Sequence, residues 1–294
     1  MKYRIVHETR YAYAQPVVLC HNEARLQPRA TAGQRCAASE VTVEPAPAQR
    51  AEREDIFGNR VLYFAVQEKH QQLVVQATSL VEANPPVAVP EAHPEPWETA
   101  VAQLRTSSDP EAREARHFTL DSPFAFVSPD VAAWADTCFA PRQPLLEAIA
   151  ALSARIHREF AFDPQITTVA TPPSEVLAQR GGVCQDFAHL AIVCLRSQGI
   201  PARYVSGYLE TQPAPGNPRR RGADVSHAWF AAFVPAIGWV DFDPTTDVTP
   251  AERHVTTAWG RDYGDVTPLK GVVFGGGEHR PEVSVDMTRV DDDV

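Results

Sequence analysis

Apolar and polar residues alternate along the first 82 residues of the chain. The segments "KYRIVHETRYAY", "SEVTVEPA", "NRVLYFAVQ" and "QLVVQATSLVE" share this period of two and are rich in Val, Tyr and Phe, a pattern typical of half-buried β-strands. The Gly-Asn pair in "DIFGNR" indicates a turn between two of them. We therefore predict a small antiparallel β-sandwich domain over residues 1–82. Because no cluster of ionisable residues stands out there, its expected role is scaffolding or partner contact.

The pattern changes after residue 82. Residues 83–97 are rich in proline, which fixes φ and removes backbone donors, so they are predicted to form an extended linker. Residues 98–294 form the second predicted domain, which is mainly helical to about residue 160. Within "PRQPLLEAIAALSARIHREFAF" the apolar residues recur at steps of three and four, as expected for a helix with one core-facing stripe.

The middle of the second domain combines helix and strand patterns. A helix is predicted to begin at "CQDFAHL" and to end at Gly199, just before Pro201. "ARYVSGY" then predicts a strand, and "SHAWFAAFVPAIGWVDFDPTTD" predicts two strands joined by "PAIG". The polar loop over 211–223 is predicted either to gate a site or simply to be mobile, and the sequence leaves both open.

Composition and charge narrow the classes of function. The 294 residues include 44% hydrophobic and 22% charged residues, an ordinary globular composition. The formal net charge is −10 and no long basic run offsets it, so nucleic-acid binding is not expected. No stretch approaches 18 uninterrupted apolar residues, so no membrane span is expected. The opening "MKYRIVHETRYAYAQP" does not resemble a signal peptide, and we expect a cytoplasmic location.

The five cysteines do not form a disulfide pattern, because their number is odd and their spacing wide. Cys184 and Cys194 lie in one predicted helix, about 15 Å apart along its axis, which is too far for a bridge. No Cys-x-x-Cys or His-x-x-x-His pair is present, so neither a zinc site nor another cofactor is expected.

Cys184 is the candidate nucleophile. It follows Gly181 and Gly182 at the start of the predicted helix, where unpaired N–H groups and the helix dipole favour a thiolate and can also bind an oxyanion. The glycines are expected to permit a tight turn that leaves the sulfur approachable. Val183 at this helix start is a candidate oxyanion residue. A small residue that merely packs at a crowded helix start is the alternative explanation.

A base and its orienting carboxylate support the catalytic interpretation. His227 begins one strand of the predicted hairpin, and both Asp241 and Asp243 share one face of the next. Neighbouring antiparallel strands can hold His and Asp side by side. Both side chains face the same way only if paired residue numbers sum to an even value, which a two-residue loop would prevent unless a bulge intervened. Spacing alone leaves both aspartates as orienters.

Other residues near Cys184 are assigned lesser roles. His189 lies about 140° around the helix from the sulfur and is expected to be structural. Asp186 is expected to cap or anchor the helix start, and Cys194 to be buried. Trp229 and Tyr208 are candidate substrate-contacting or wall residues.

At this point the motifs resemble a known family. "GGVCQDFAHL", "GIPARYVSGY", "SHAWF" and "GWVDFDPT" occur in the order found in the transglutaminase-like superfamily of papain-like cysteine enzymes. The opening "YRIVHETRYAYAQPV" and the closing "WGRDYGDVTPLKGVVFGGGEH" resemble its bacterial branch, which has an N-terminal β domain. The resemblance implies an α+β fold whose cysteine helix packs on an antiparallel sheet. It also implies Cys184 as nucleophile, His227 as base and acid, and Asp243 rather than Asp241 as the orienter, without a calcium requirement.

The expected reaction is acyl transfer on amide bonds through a thioester, most simply hydrolysis by a protease or amidase acting on a peptide or protein. The alternatives are an amine-accepting transglutaminase and a non-catalytic scaffold that binds a protein partner. The sequence leaves the substrate and the oligomeric state open.

Overall fold

We describe the protein from a computed structural model, which covers residues 1–84, 94–211 and 224–290. Most of the predicted linker at 83–97 and of the loop at 211–223 lies outside these ranges. No helix within the described ranges has the length and apolar character that crossing a membrane requires.

The N-terminal part is all β, as the period of two predicts. Its strands are β1 (Lys2–Ala24), β2 (Gln34–Glu44), β3 (Gln49–Glu54), β4 (Arg60–Val66) and β5 (His70–Ala83). Buried positions alternate along most of β1 and β5, which places one side of each strand in the core. Two C-terminal strands, β12 (Leu269–Gly275) and β13 (His279–Arg289), pair with β1 and complete the sheet.

The long strand β1 belongs to both halves of this sheet. Its first half lies between β5 and β13, and its second half lies between β4 and β12. β2 and β3 extend the two halves at their outer edges. Residues from both halves, among them Val43, Phe64 and Val75, pack into one apolar cluster. Sandwich-like packing is therefore achieved with a single shared strand.

The helical layer lies between residues 97 and 197. Its helices are α1 (Trp97–Thr106), α2 (Pro110–Ala115), α3 (Pro129–Asp136), α4 (Leu145–Glu159), α5 (Pro173–Gln179) and α6 (Cys184–Ser197), with a short 3₁₀ helix at Arg116–Thr119. Every residue of α6 from Asp186 to Arg196 is buried, so α6 is the central helix of this layer. A further short helix, α7 (Tyr263–Val266), follows later in the chain.

The core sheet beside α6 is antiparallel. Its strands are β8 (Ala202–Leu209), β9 (Val225–Val234), β10 (Gly238–Phe242) and β11 (His254–Gly260), in the order β10-β9-β8-β11. Ala228, Phe230 and Ala232 of β9 join the apolar cluster that includes α6, whereas Trp229 and Ala231 point to the opposite face. The α+β fold with its cysteine helix on an antiparallel sheet is confirmed.

The hairpin between β9 and β10 has the register that the candidate site requires. Val234 pairs with Gly238 and Ala231 with Asp241, so paired residue numbers sum to an even value. The connection is a three-residue loop rather than a two-residue one, and Ala236 within it has a φ of 62°, in the left-handed region that such hairpin loops use.

The two sheets are joined along β11, the edge strand of the core sheet. The Asn59 side chain donates to the Trp259 carbonyl at 2.8 Å and accepts from the Trp259 N–H at 3.0 Å. The Gln34 side chain does the same with Thr256, at 2.8 Å in both directions. Two side-chain amides from the N-terminal part therefore satisfy the outer backbone groups of β11, which would otherwise be an unpaired edge.

The prediction that residues 98–294 form one separate domain is wrong for the two C-terminal strands. β12 and β13 belong to the N-terminal sheet, since Tyr3 pairs with Arg289 and Ala24 with Leu269. Strand patterns in one sequence do not reveal which sheet a distant strand joins, and this explains the difference.

Candidate active site

Cys184 is the first residue of α6, and its side chain is half-buried. Asp186, two residues further on, holds this helix start in place. Its Oδ2 accepts from the Val183 N–H at 2.8 Å and from the Thr167 hydroxyl at 2.7 Å. The predicted anchoring role of Asp186 is confirmed. Burial raises the pKa of Asp186, although these two bonds oppose the rise.

The two glycines before Cys184 are required by close packing. Gly181 and Gly182 form β7, which pairs in parallel with β6 (Ala161–Phe162). A Cβ on Gly182 would lie 2.7 Å from the Asp186 Oδ2, and a Cβ on Gly181 would lie 2.6 Å from the Ile166 Cδ1. Both distances are too short for any side chain. The glycines therefore allow the capping carboxylate and a neighbouring loop to approach, a reason that the sequence did not reveal.

His227 lies between a thiol and a carboxylate. Its Nε2 is 2.8 Å from the Asp243 Oδ2, and the His227 side chain is only 4% exposed. Burial by itself lowers the pKa of His227, but hydrogen bonds with Asp243 and with Cys184 raise it to about 10. Cys184 at the start of α6 and Asp243 after β10 therefore both act on the imidazole of His227, near the start of β9.

Asp243 is completely buried and accepts several hydrogen bonds. Besides His227, its Oδ2 is bonded to the His254 Nε2 at 3.1 Å and to the Thr246 hydroxyl at 2.5 Å, and its Oδ1 accepts from the Thr245 N–H at 2.9 Å. Burial would raise the pKa of Asp243, but the bonds from the two histidines hold it well below its usual range. The carboxylate is therefore ionised, and each histidine Nε2 is the donor.

The same three groups are of the types that bind zinc. One ligand atom each from His227, Asp243 and His254 lies within 4.8 Å of the others, and imidazole with carboxylate is a common donor set. In this arrangement, however, the nitrogens donate directly to the carboxylate oxygen. The observed contacts make the cluster a hydrogen-bonded network built around Asp243.

The three candidate oxyanion and substrate residues lie in different surroundings. The Val183 N–H is already bonded to Asp186, so it is not available to an oxyanion. Tyr208 is buried in the contact between the two sheets, and its hydroxyl is 3.1 Å from the His7 Nδ1. Its predicted approach to the site is wrong, because its ring faces the N-terminal strands. Trp229 lies against the His227 ring at a centroid distance of 6.1 Å, but it is fully buried and serves as a wall.

The rival residues occupy structural positions. Asp241 lies on the outer face of the core sheet, and its carboxylate has no hydrogen bond to His227 among the described contacts. The His189 Nε2 accepts from the Tyr263 N–H at 3.1 Å, and burial lowers the pKa of His189 to about 4. Cys194 is buried in the core. The predicted structural roles of His189 and Cys194 are confirmed.

His254 is the residue of this network that the sequence did not single out. It begins β11, two strands away from β9, and it reaches Asp243 because the connection from β10 crosses the end of the sheet. Its ring also packs edge-on against Trp229 at a centroid distance of 5.3 Å. Its place at the first residue of a strand is only a weak sign of a role in the site. No local pattern in the sequence shows the path of the chain between β10 and β11, and that path brings His254 beside Asp243.

Comparison with known families agrees with this architecture. Residues 132–244 match the model of the transglutaminase-like superfamily, and residues 3–82 match that of the bacterial transglutaminase-like N-terminal region. The chain is 39% identical over 301 residues to an uncharacterised protein of Mycobacterium tuberculosis, covering all of this chain and 94% of that protein. The chain belongs to the transglutaminase-like superfamily.

Two further similarities concern the fold and the core. A solved protein from Cytophaga hutchinsonii, provisionally described as a cysteine protease, superposes with a TM-score of 0.79 at 22% identity, covering 100% of this chain and 92% of that one. It shows that the fold extends over the whole chain. A protein-glutamine gamma-glutamyltransferase of Pseudomonas aeruginosa is 36% identical over 107 residues, which are 35% of this chain and 16% of that protein.

Proposed function

We propose that the protein is a cysteine enzyme that hydrolyses amide bonds in peptides or proteins through a thioester on Cys184. The observation that carries this proposal is the connected series of side chains from Cys184 through His227 to Asp243. In it the imidazole bonds to Asp243, Cys184 helps to raise the pKa of His227, and the thiol stays partly exposed. A nucleophile, a base and a group that orients the base are the requirements for covalent acyl transfer.

In the first step, the Cys184 thiolate attacks the amide carbonyl and the imidazolium of His227 donates a proton to the leaving amine. Because the His227 Nε2 is bound to Asp243, the Nδ1 is the ring nitrogen that exchanges the proton with the sulfur and the amine. A water molecule, activated by the same nitrogen, then attacks the thioester and releases the acid.

The start of α6 offers a donor for the oxyanion that forms during attack. Helix starts carry backbone N–H groups without intrahelical partners. The Val183 N–H is bonded to Asp186, whereas none of the described hydrogen bonds involves the Cys184 N–H. We therefore assign the oxyanion to the Cys184 N–H in place of Val183.

Amine transfer is the second candidate, and the similarity of the core to a protein-glutamine gamma-glutamyltransferase favours it. The two reactions share the thioester and differ only in whether water or an amine attacks it. An acceptor site that excludes water would decide between them.

The test combines site mapping with product analysis. The purified protein is labelled with iodoacetamide at low reagent, and the labelled peptides are identified by mass spectrometry. Cys184 is expected to react before the half-buried Cys36, which has no histidine bonded to it among the described contacts. A peptide library is then incubated with the wild type, Cys184→Ala and Cys36→Ala, with and without added amine.

Hydrolysed products that Cys184→Ala does not form, and that Cys36→Ala does, would support the proposal. Products that carry the added amine would favour the transferase instead. Equal labelling of both cysteines, or identical products from the wild type and Cys184→Ala, would contradict any role of this thiol in acyl transfer.

A further inference from the structure

A cavity of about 790 Å³ lies on the outer face of the core sheet, on the side away from α6. The N-terminal segment around Arg29–Gln34 and the loop at Phe57 form one side of it. Strands β8, β9 and β10 form its floor, and the exposed Glu111 and Glu114 of α2 stand at its rim. Its volume is in the range of small-molecule sites, which often occur between domains. Neither Cys184 nor His227 lines it.

A buried cation, Arg203, lies on the cavity floor. Its side chain lies between two indole rings, with the guanidinium carbon 3.8 Å from the centroid of Trp259 and 4.3 Å from that of Trp239. The residue is only 9% exposed, and its Nε is buried with no partner among the described residues. The rings cover both faces of the guanidinium, so its N–H edge is the part left to bind a ligand.

A second buried arginine, Arg196, shows how unusual it is for a buried guanidinium to lack acceptors. Arg196 on α6 donates to four backbone carbonyls and to the Ser122 hydroxyl, at distances between 2.6 and 3.1 Å. Buried guanidinium groups are normally satisfied in this way, because a buried donor without an acceptor loses its hydration without compensation. Arg203 has no equivalent set of acceptors within the described ranges.

Asp241 supplies the opposite charge on the same floor. It lies two strands from Arg203, on β10, where it pairs with Ala231 of β9, whose other partner is Arg203. No ion pair joins Asp241 to Arg203 among the described contacts, although each acts on the charge of the other. Burial lowers the pKa of Arg203 to about 9 and raises the pKa of Asp241. The cavity floor therefore carries a guanidinium and a carboxylate that do not neutralise each other by direct contact. Arg29 adds a second guanidinium at the side of the cavity, but it already donates to the Phe57 carbonyl and to Asn59.

We propose that this cavity binds a small zwitterion of the amino-acid class, with its carboxylate on the N–H edge of Arg203 and its ammonium group towards Asp241. The apolar lining at Phe57, Phe118 and Val240 is suited to an aromatic or aliphatic side chain. A carboxylate alone would meet the acidic residues at the floor and rim, and an amine alone would meet Arg203. Only a ligand that carries both a carboxylate and an ammonium group can pair with both Arg203 and Asp241.

This site adjoins the proposed acyl-transfer centre through His254, which lines the cavity and bonds to Asp243. It does not contain the reacting groups of Cys184 and His227, so it is tested by binding rather than by turnover. Isothermal titration calorimetry and the fluorescence of the cavity tryptophans are measured with L-phenylalanine as the probe. The matched compounds are 3-phenylpropionate, which lacks the amine, and 2-phenylethylamine, which lacks the carboxylate. We expect L-phenylalanine to bind at least about tenfold more tightly than either, since each lacks one charge-assisted contact.

Two variants test the contacts proposed for Arg203 and for Asp241. Arg203→Lys keeps the charge but loses the planar donor edge, and Asp241→Asn keeps the shape but loses the anion. Each is expected to weaken L-phenylalanine binding by at least about tenfold. Arg158→Lys, which changes an exposed arginine of α4, is expected to bind as the wild type does. Thermal unfolding establishes that each variant is folded, and if Arg203→Lys is not, Asp241→Asn decides.

Failure of all three compounds to bind would overturn the proposal. It would equally be overturned if 3-phenylpropionate or 2-phenylethylamine bound as well as L-phenylalanine, or if Asp241→Asn bound L-phenylalanine with unchanged affinity. None of these results would bear on the labelling of Cys184, so the two proposals fail independently.

Discussion

The contact between His227 and Asp243 leads to a prediction about stability as well as chemistry. Replacement of Asp243 by Asn keeps the size of the side chain but removes the negative charge that receives both His227 and His254 on one oxygen. An amide presents one acceptor and one donor group, so it cannot accept from all the surrounding N–H and O–H donors at once. The imidazolium of His227 then loses its carboxylate partner and keeps only the interaction with Cys184.

The size of the effect follows from the pKa of His227. Folding raises it from 6.5 to about 10, and because one pKa unit is about 1.4 kcal/mol, this corresponds to roughly 5 kcal/mol in favour of the imidazolium. Cys184 shares in that rise, and the Asn side chain retains part of the bonding. We therefore expect Asp243→Asn to lower the free energy of unfolding by about 3 kcal/mol at pH 6, within the range for a broken buried pair.

The difference should depend on pH in one direction. Because folding raises the pKa of His227, its stabilisation is fully present below the unfolded value of 6.5 and is lost as the pH rises towards 10. Urea unfolding of the wild type and Asp243→Asn at pH 6, 8 and 10 should show the two curves converging. Asp247→Asn, the same change at an exposed position four residues away, provides the control and should follow the wild type at each pH.

A constant gap between the wild type and Asp243→Asn from pH 6 to pH 10 would refute this reasoning. It would mean that the Asn variant is destabilised by packing or by loss of the threonine contacts, and that His227 is not held as an imidazolium by Asp243.

Two further predictions concern the packing around α6. Arg196→Met should lower the free energy of unfolding by about 3–5 kcal/mol, since it leaves several buried acceptors unpaired; equal urea midpoints for it and the exposed-site control Arg158→Met would contradict this. Gly182→Ala should cost about 1–3 kcal/mol and slow iodoacetamide labelling of Cys184, because the new methyl group displaces Asp186 from the helix start. Gly33→Ala, where the nearest atom to a new Cβ is 4.0 Å away, is its control, and labelling that is equally fast in the two glycine variants would show that Asp186 does not position the thiol.

The sequence was most informative where periodicity and turn chemistry act locally. The stripe in "LLEAIAALSARI" predicted α4, and the glycine before Pro201 predicted the end of α6. His227 and Asp243 can share one face of the sheet only if paired residue numbers in the β9–β10 hairpin sum to an even value. The three-residue loop gives that register. These features depend on residues close together in the chain, so single-sequence patterns contain them.

Contacts between distant segments were harder to predict. Tyr208 was expected near the thiol because its strand follows the cysteine helix, but the strand continues to the N-terminal sheet and its ring faces His7. His254 was missed because no local pattern shows that its strand begins beside Asp243. Val183 was expected to have a free N–H, which depends on the conformation of Asp186, three residues later. In each case a tertiary contact decided the outcome.

The position of β12 and β13 has a consequence for the order in which the molecule is assembled. A ribosome makes the chain from the N-terminus, so β1 emerges first, and its partner β13 emerges after some 270 further residues have been joined. Until then the first half of β1 has β5 on one side and an open edge on the other. Contacts of such wide sequence separation form slowly and leave partly assembled chains prone to association. Completion of the N-terminal sheet must therefore wait until β13 has been made, after the segment that carries the thiol has already left the ribosome.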